Sequence, residues 1–161
     1  MTHEISDKLK KKECKMYKFI EKIKTEYLVS ETDIKNTEEK WNISFPTLLK
    51  EFYLNYNGAE LNLCIFVLEG YEHEISEFIP LKYGECNFDD IIKNDREDGI
   101  ISNNMIPLAS NRGGDYYYWN SIDESIVLFY CDDIENPIYI CKNIRELFEL
   151  TENSLFSTET I

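Results

Sequence analysis

Seven consecutive residues, Gly113-Gly114-Asp115-Tyr116-Tyr117-Tyr118-Trp119, combine the types that could act on a phosphate or a metal; they sit inside "IPLASNRGGDYYYWN". Adjacent glycines let backbone N–H groups approach an anion, and an acid beside them could hold a cation or accept a proton. A phosphate loop, however, needs its glycines to feed a helix N-terminus and needs a lysine for the phosphates. Here the glycines feed an aromatic, strand-forming run, and neither G-K-[ST] nor G-x-G-x-x-G occurs in the chain. P-loop and Rossmann nucleotide binding are therefore set aside.

Other chemistries fare no better. "GGDYY" is similar to the GGDEF signature of diguanylate cyclases, in which acids hold metal near a nucleotide. Tyr116 nevertheless stands where the second acid belongs, and the extended α/β organisation before it is missing. A nucleophile elbow, G-x-S-x-G, is absent, and neither His3 nor His73 has an obvious triad partner. Paired carboxylates recur (Asp89-Asp90, Glu97-Asp98, Asp132-Asp133), and their abundance makes each pair an ordinary solvated group rather than an acid–base couple. An EF-hand register around Gly99 would put Arg96 at a ligand position and Met105 at the final glutamate position. The five cysteines, Cys14, Cys64, Cys86, Cys131 and Cys141, are odd in number and widely spaced, with no C-x-x-C. That pattern fits reduced thiols in a cytoplasmic protein, not a disulfide framework or a zinc site. The expectation is a protein without catalytic residues, metal or cofactor, in which the glycine pair turns a hairpin.

The elements that must position this hairpin follow from periodicity and caps. Residues 6–28 carry Leu9, Met16, Ile20, Ile23 and Tyr27 on one helical stripe, opposite Lys11, Lys15, Lys18 and Lys22. Ser6 is the cap of that Lys-rich helix. A second helix spans 31–41, capped by Ser30 or Thr32, with Ile34 and Trp41 inward and Asn42 as its left-handed end. "SFPTLLKEFYLNYNG" gives a third helix, with Pro46 in its first turn and Phe45, Leu49, Phe52 and Tyr56 as the buried stripe, stopped by Asn57-Gly58. Strands are expected at 61–70 and at 77–84, the latter broken by Pro80, with a short helix or turn at 87–95 and a charged loop "NDREDG" at 94–99. Strands at 105–109, 115–120, 126–131 and 137–141 are joined by "SNRGG", "SIDES" and "DDIENP", turns short enough to require antiparallel pairing. Asn143 and Glu146 cap a closing helix at 143–151, and 152–161 is expected to fray. The result is one α+β domain over 1–161: N-terminal helices packed on a central, mostly antiparallel sheet, closed by a C-terminal helix. Along 126–131, Ile126, Leu128 and Tyr130 alternate with Val127, Phe129 and Cys131, so helices cover one apolar face and a second face is left partly open.

Net charge is −14. Residues 1–24 hold eight lysines against four acids, while the remainder holds nine basic residues against 27 acids. A body this acidic repels nucleic acid and attracts a basic partner, although acidic surfaces also serve solubility alone. Without an apolar run of about 18 residues, no membrane helix is expected, and the polar start lacks the apolar core of a secretion signal.

The linked pattern of a capped helix ending at Trp41, then "ISFPTLLKEFYLNYNG", then "IPLASNRGGDYYYWN", a strand with Val127 and a closing helix with Phe148 resembles the SUKH (SMI/KNR-like) superfamily over about residues 30–150. Pro46, Asn57, Gly58, Pro107, Ala109, Gly114 and Asp115 stand where that family places such residues. Ala59 and Asn120 depart from it, where a second glycine and an aspartate are common. The resemblance implies an α+β fold with an antiparallel sheet and no catalytic residues. It also implies an immunity protein that neutralises a toxin domain, often a nuclease, of a polymorphic or contact-dependent system; fungal members imply the alternative, a regulatory scaffold. On that expectation Glu97, Asp98, Asp115, Asp132 and Asp133 are the charge contacts for a basic toxin, and Tyr116, Tyr118 and Trp119 the aromatic anchors. No nucleic acid or membrane partner is expected, and the protein is expected to be a monomer or weak dimer.

Overall fold

The structure is a computed structural model and describes residues 17–154. Strand β1 (Ile20–Lys22) and a 3-10 turn (Thr25–Tyr27) precede helices α1 (Glu31–Trp41) and α2 (Thr47–Tyr56). Strands β2 (Glu60–Leu61), β3 (Cys64–Leu68), β4 (Tyr71–Ile75) and β5 (Glu77–Phe78) lead to helix α3 (Phe88–Asp98). Strands β6 (Met105–Ser110), β7 (Tyr116–Asn120), β8 (Ile126–Tyr130) and β9 (Asp133–Cys141) follow, and helix α4 (Ile144–Glu152) closes the domain. This is the expected α+β fold.

Local chemistry sets the helix ends. The Ser30 hydroxyl accepts the Asp33 N–H while the Asp33 carboxylate accepts the Ser30 N–H, a reciprocal cap for α1. Asn42 takes the left-handed conformation after it, at φ 54°. Pro46 stands just outside α2 with extended backbone rather than inside its first turn. Asn143 caps α4 by accepting the Glu146 N–H, and the Glu146 carboxylate accepts the Lys142 N–H in return.

Strands β5 to β9 form a five-stranded antiparallel meander, and β3 and β4 form a two-stranded hairpin. The two are continuous in path. Only Ser76 separates β4 from β5, and the Ser76 and Ile79 N–H groups donate to the Ser110 and Leu108 carbonyls of β6. One face of the meander, with Tyr117, Trp119, Ile126 and Leu128, joins the main core beneath the helices. There Phe52 lies 4.9 Å from Phe78 and 5.0 Å from Phe148, ring centroid to centroid.

Several expected elements are corrected. The part of the 6–28 helix within the described residues is not α-helical, carrying only strand β1 and the 3-10 turn; residues 6–16, and with them Cys14 and Ser6, lie outside the described residues. Ile20 pairs with Leu61, and the Lys18 N–H donates to Glu152, 134 residues away. Phe19, off the expected stripe, is the buried residue. Long-range pairing overrides the local helical period here. Strand β4, "YEHEI", was not expected because its sequence is largely polar; it exists as the partner of β3. The expected 77–84 strand ends at Phe78. "NDREDG" is not a loop: α3 continues to Asp98 and ends at Gly99, at φ 67°. "DDIENP" is mostly strand, since β9 starts at Asp133 and tolerates Pro137 as the edge of the meander. At the end of the chain α4 runs to Glu152 and Ser154 bonds Ile65, so residues 152–154 of the expected frayed tail belong to the fold; residues 155–161 lie outside the described residues.

Candidate functional site

The glycine-bearing loop is a hairpin turn between β6 and β7. The Asn111 N–H donates to the Asp115 carbonyl at 3.1 Å, and the Gly114 N–H donates to the Asn111 carbonyl at 3.3 Å. The Asp115 carboxylate is spent inside the turn region. One oxygen accepts from the Asn111 side-chain amide at 3.0 Å, the other from the Cys131 N–H at 2.9 Å. Burial opposes its charge, but the Cys131 N–H and the Asn111 amide outweigh burial and hold its carboxyl below the ordinary value. Arg112 ties the turn to β4 through Glu74, with its side chain at 3.1 Å and its backbone N–H at 3.0 Å. This is a positioned scaffold turn, not a phosphate cradle. Gly114 sits at φ 86° with nothing within 4 Å of an added Cβ. Gly114→Val is therefore expected to cost about 1–3 kcal/mol through backbone strain alone. A thermal melt checks it, and an unchanged midpoint would contradict the strained-turn account.

The aromatic run divides between faces. Tyr117 points into the main core and donates its hydroxyl to the Glu74 carbonyl at 2.8 Å. Trp119 is 4% exposed in the same core. Tyr118 is 1% exposed on the opposite face, its ring edge-on to Phe129 and its hydroxyl donating to Asp95 at 2.8 Å. Burial pushes the Asp95 carboxyl up, against the lowering effect of that hydrogen bond. Tyr118 and Trp119, expected as anchors, are thus held within the fold rather than presented on it; a Tyr-Trp pair buries too much apolar area to stay outside when neighbouring strands and a helix can cover it. Tyr116 is half-buried and retains an accessible edge.

The acids are placed in two groups. Asp132 and Asp133 are exposed at the β8–β9 turn, and the Cys131 N–H bond to Asp115 brings that turn beside the glycine hairpin. Glu97 and Asp98 are exposed on the last turn of α3, whose chain continues toward Met105, the end of β6 remote from that hairpin. The structure therefore does not unite the five acids in one cluster.

Among the groups capable of nucleophilic or metal chemistry, Cys64, Cys141 and His73 are buried, while Cys86 and Cys131 are exposed. Burial pushes the Cys64 and Cys141 thiols up to about 12. His73 is buried against Phe66, and burial lowers its pKa, favouring the neutral ring. All four described cysteines are free thiols. Among the described residues no group of three or more His, Cys, Asp or Glu is placed to hold a metal ion, and no helix is long and apolar enough to cross a membrane.

One structural role escaped sequence reasoning. Asn57, read as a helix stop and as part of the family pattern, is 1% exposed, and its side-chain amide accepts from one backbone group and donates to two others. A polar residue followed by glycine signals a helix end equally well whether its side chain faces water or the core.

The fold and these features match a known family. The model of the SMI1 / KNR4 family (SUKH-1) matches residues 28–150. The chain belongs to that family. A solved structure described as a protein from Pseudomonas syringae pv. tomato is similar at 18% identity, with a TM-score of 0.50, over 73% of this chain and 76% of that one. At that identity the likeness concerns the fold alone. No curated protein matches the sequence at a significant level.

Proposed function

We propose that this protein is an immunity protein, which binds and neutralises a cognate bacterial toxin domain of a polymorphic or contact-dependent toxin system. It acts in the cytoplasm by binding, with no catalysis of its own. The observation that carries this reading is membership of the SMI1/KNR4 family over residues 28–150. The net charge of −14 supports a basic toxin, and a nuclease fits best because its site is electropositive to hold phosphates. Exposed Asp132 and Asp133 beside the half-buried Tyr116 make the proposed contact surface, with Asp115 positioning the turn between them. Glu97 and Asp98 supply long-range attraction from their separate site.

The test needs a candidate toxin domain, sought first among the genes neighbouring this one. Cells producing it are expected to survive when this protein is co-expressed. Stopped-flow association is expected to fall steeply with salt while dissociation changes little. Replacing Asp132 and Asp133 together with asparagine should slow association by about 10-fold at low salt. Binding without protection of the cells would favour a regulatory scaffold instead, and a salt-independent association rate would remove the electrostatic argument.

A further inference from the structure

The β3–β4 hairpin and the five-stranded meander each leave an open edge: among the described residues β3 is paired to β4 alone and β9 to β8 alone, and α4 packs against both. Between these edges runs a cleft of about 490 Å³, lined among others by Phe66, Val67, Leu68, Ile140, Glu149 and Leu150. Backbone parity shows what the β3 edge offers. The Ile65 N–H donates to the Ser154 hydroxyl at 2.7 Å, and that hydroxyl donates to the Ile65 carbonyl at 3.1 Å. Ile65 therefore turns its backbone groups away from β4. In a strand the direction repeats every second residue, so Val67 turns its N–H and C=O the same way, toward the cleft. Ser154 occupies one rung of the open edge, and among the described residues no bond outside the hairpin reaches the next.

We propose that this rung receives an extended, cationic segment of the partner protein, which adds as a strand between β3 and β9. The inference rests on the reading that this protein works by binding another. An unpaired strand edge recognises an extended backbone, and the cleft side chains select what that backbone carries. Val67 is 46% exposed and lines the cleft with Leu68, Ile140 and Leu150, so the segment meets apolar surface there. The charge is one-sided. Glu146 and Glu149 line the cleft, and Glu149 enters no salt bridge among the described residues. Lys142 is already engaged with Glu146 at 3.5 Å, which leaves lysine or arginine as the complement to Glu149.

The probe is an acetylated, amidated heptapeptide of alternating lysine and valine, added to the full chain and followed by amide NMR. Saturable shifts at Val67 and Leu68 are expected, with the Val67 amide slowed in exchange by about 10-fold or more. A glutamate–valine peptide and a peptide with proline at its centre should do neither, and Glu149→Lys should weaken binding by about 10-fold. A Val67 amide already protected in the free protein would mean that residues 155–161 or a second copy fill the cleft, and would overturn the proposal. So would binding indifferent to proline or to Glu149→Lys, which marks adsorption to an acidic surface. A toxin that is neutralised while Val67 exchanges freely would sink the cleft and leave the immunity reading standing. A peptide that docks while the toxin goes unbound would do the reverse.

Discussion

Asn57→Ala is expected to destabilise the domain by about 3 kcal/mol or more, among the largest losses for any single polar side chain here. The Asn57 carbonyl oxygen accepts the Leu81 N–H at 2.6 Å, and its amide donates to the Tyr27 carbonyl at 2.7 Å and the Lys82 carbonyl at 3.0 Å. Three segments far apart in sequence, the 25–27 turn, the end of α2 and the stretch after Pro80, are joined at this one buried side chain. Alanine leaves those backbone groups dry and unpaired, and each such loss costs about 1–3 kcal/mol. Asn57→Asp gives a sharper check. It keeps the acceptor for Leu81 but sets a carboxylate against two carbonyl oxygens, so its folded pKa rises above the unfolded value. The unfolded chain then holds fewer protons than the folded one near neutrality, and stability is expected to recover as pH falls. Urea denaturation across pH measures both variants. An alanine loss below about 1 kcal/mol would show that water satisfies these groups.

Phe52→Ala is expected to cost about 3–5 kcal/mol, enough to leave a marginally stable domain of this size partly unfolded. Its ring is buried among Phe78, Phe148 and Phe19, at centroid distances of 4.9, 5.0 and 6.4 Å. These four residues come from α2, β5, α4 and the segment before β1, so the cavity opens where all the layers meet. Phe52→Leu preserves most of the volume and is expected to cost about 1.5 kcal/mol or less. Equal losses for the two would mean that ring geometry, not packed volume, holds this junction. Circular dichroism melts separate the cases. The same reasoning applies to Trp119→Ala, the variant that would test Trp119 as an anchor. At 4% exposure its first effect is on folding, so faster release of a partner could be credited to it only after stability is matched.

Where short-range chemistry is decisive, the amino-acid order alone was enough. Helices α1, α2 and α4 were readable because Ser30, Asn42, Gly58 and Asn143 act within three or four residues of where they stand. The β6–β7–β8 hairpins were readable because turns such as "SNRGG" and "SIDES" are too short for anything but antiparallel return. Family and fold class came from these same local signals, placed in order. The rest depended on partners that chain distance hides. Residues 17–28 keep a helical period, yet Phe19 is drawn into the core and Ile20 pairs with Leu61. "YEHEI" has too few apolar residues to announce a strand until β3 lies beside it. Tyr116, Tyr118 and Trp119 look equivalent as a run of rings, and only packing, with Asp95 reaching Tyr118 from α3, separates the half-open ring from the buried two. The acids divided for the same reason: a charge's neighbours in sequence set its number, but the crossing of strands and helices sets its position. The cleft between β3 and β9 is the extreme case. Its two strands are some 70 residues apart along the chain, and one helix packed on both brings them to a common cleft.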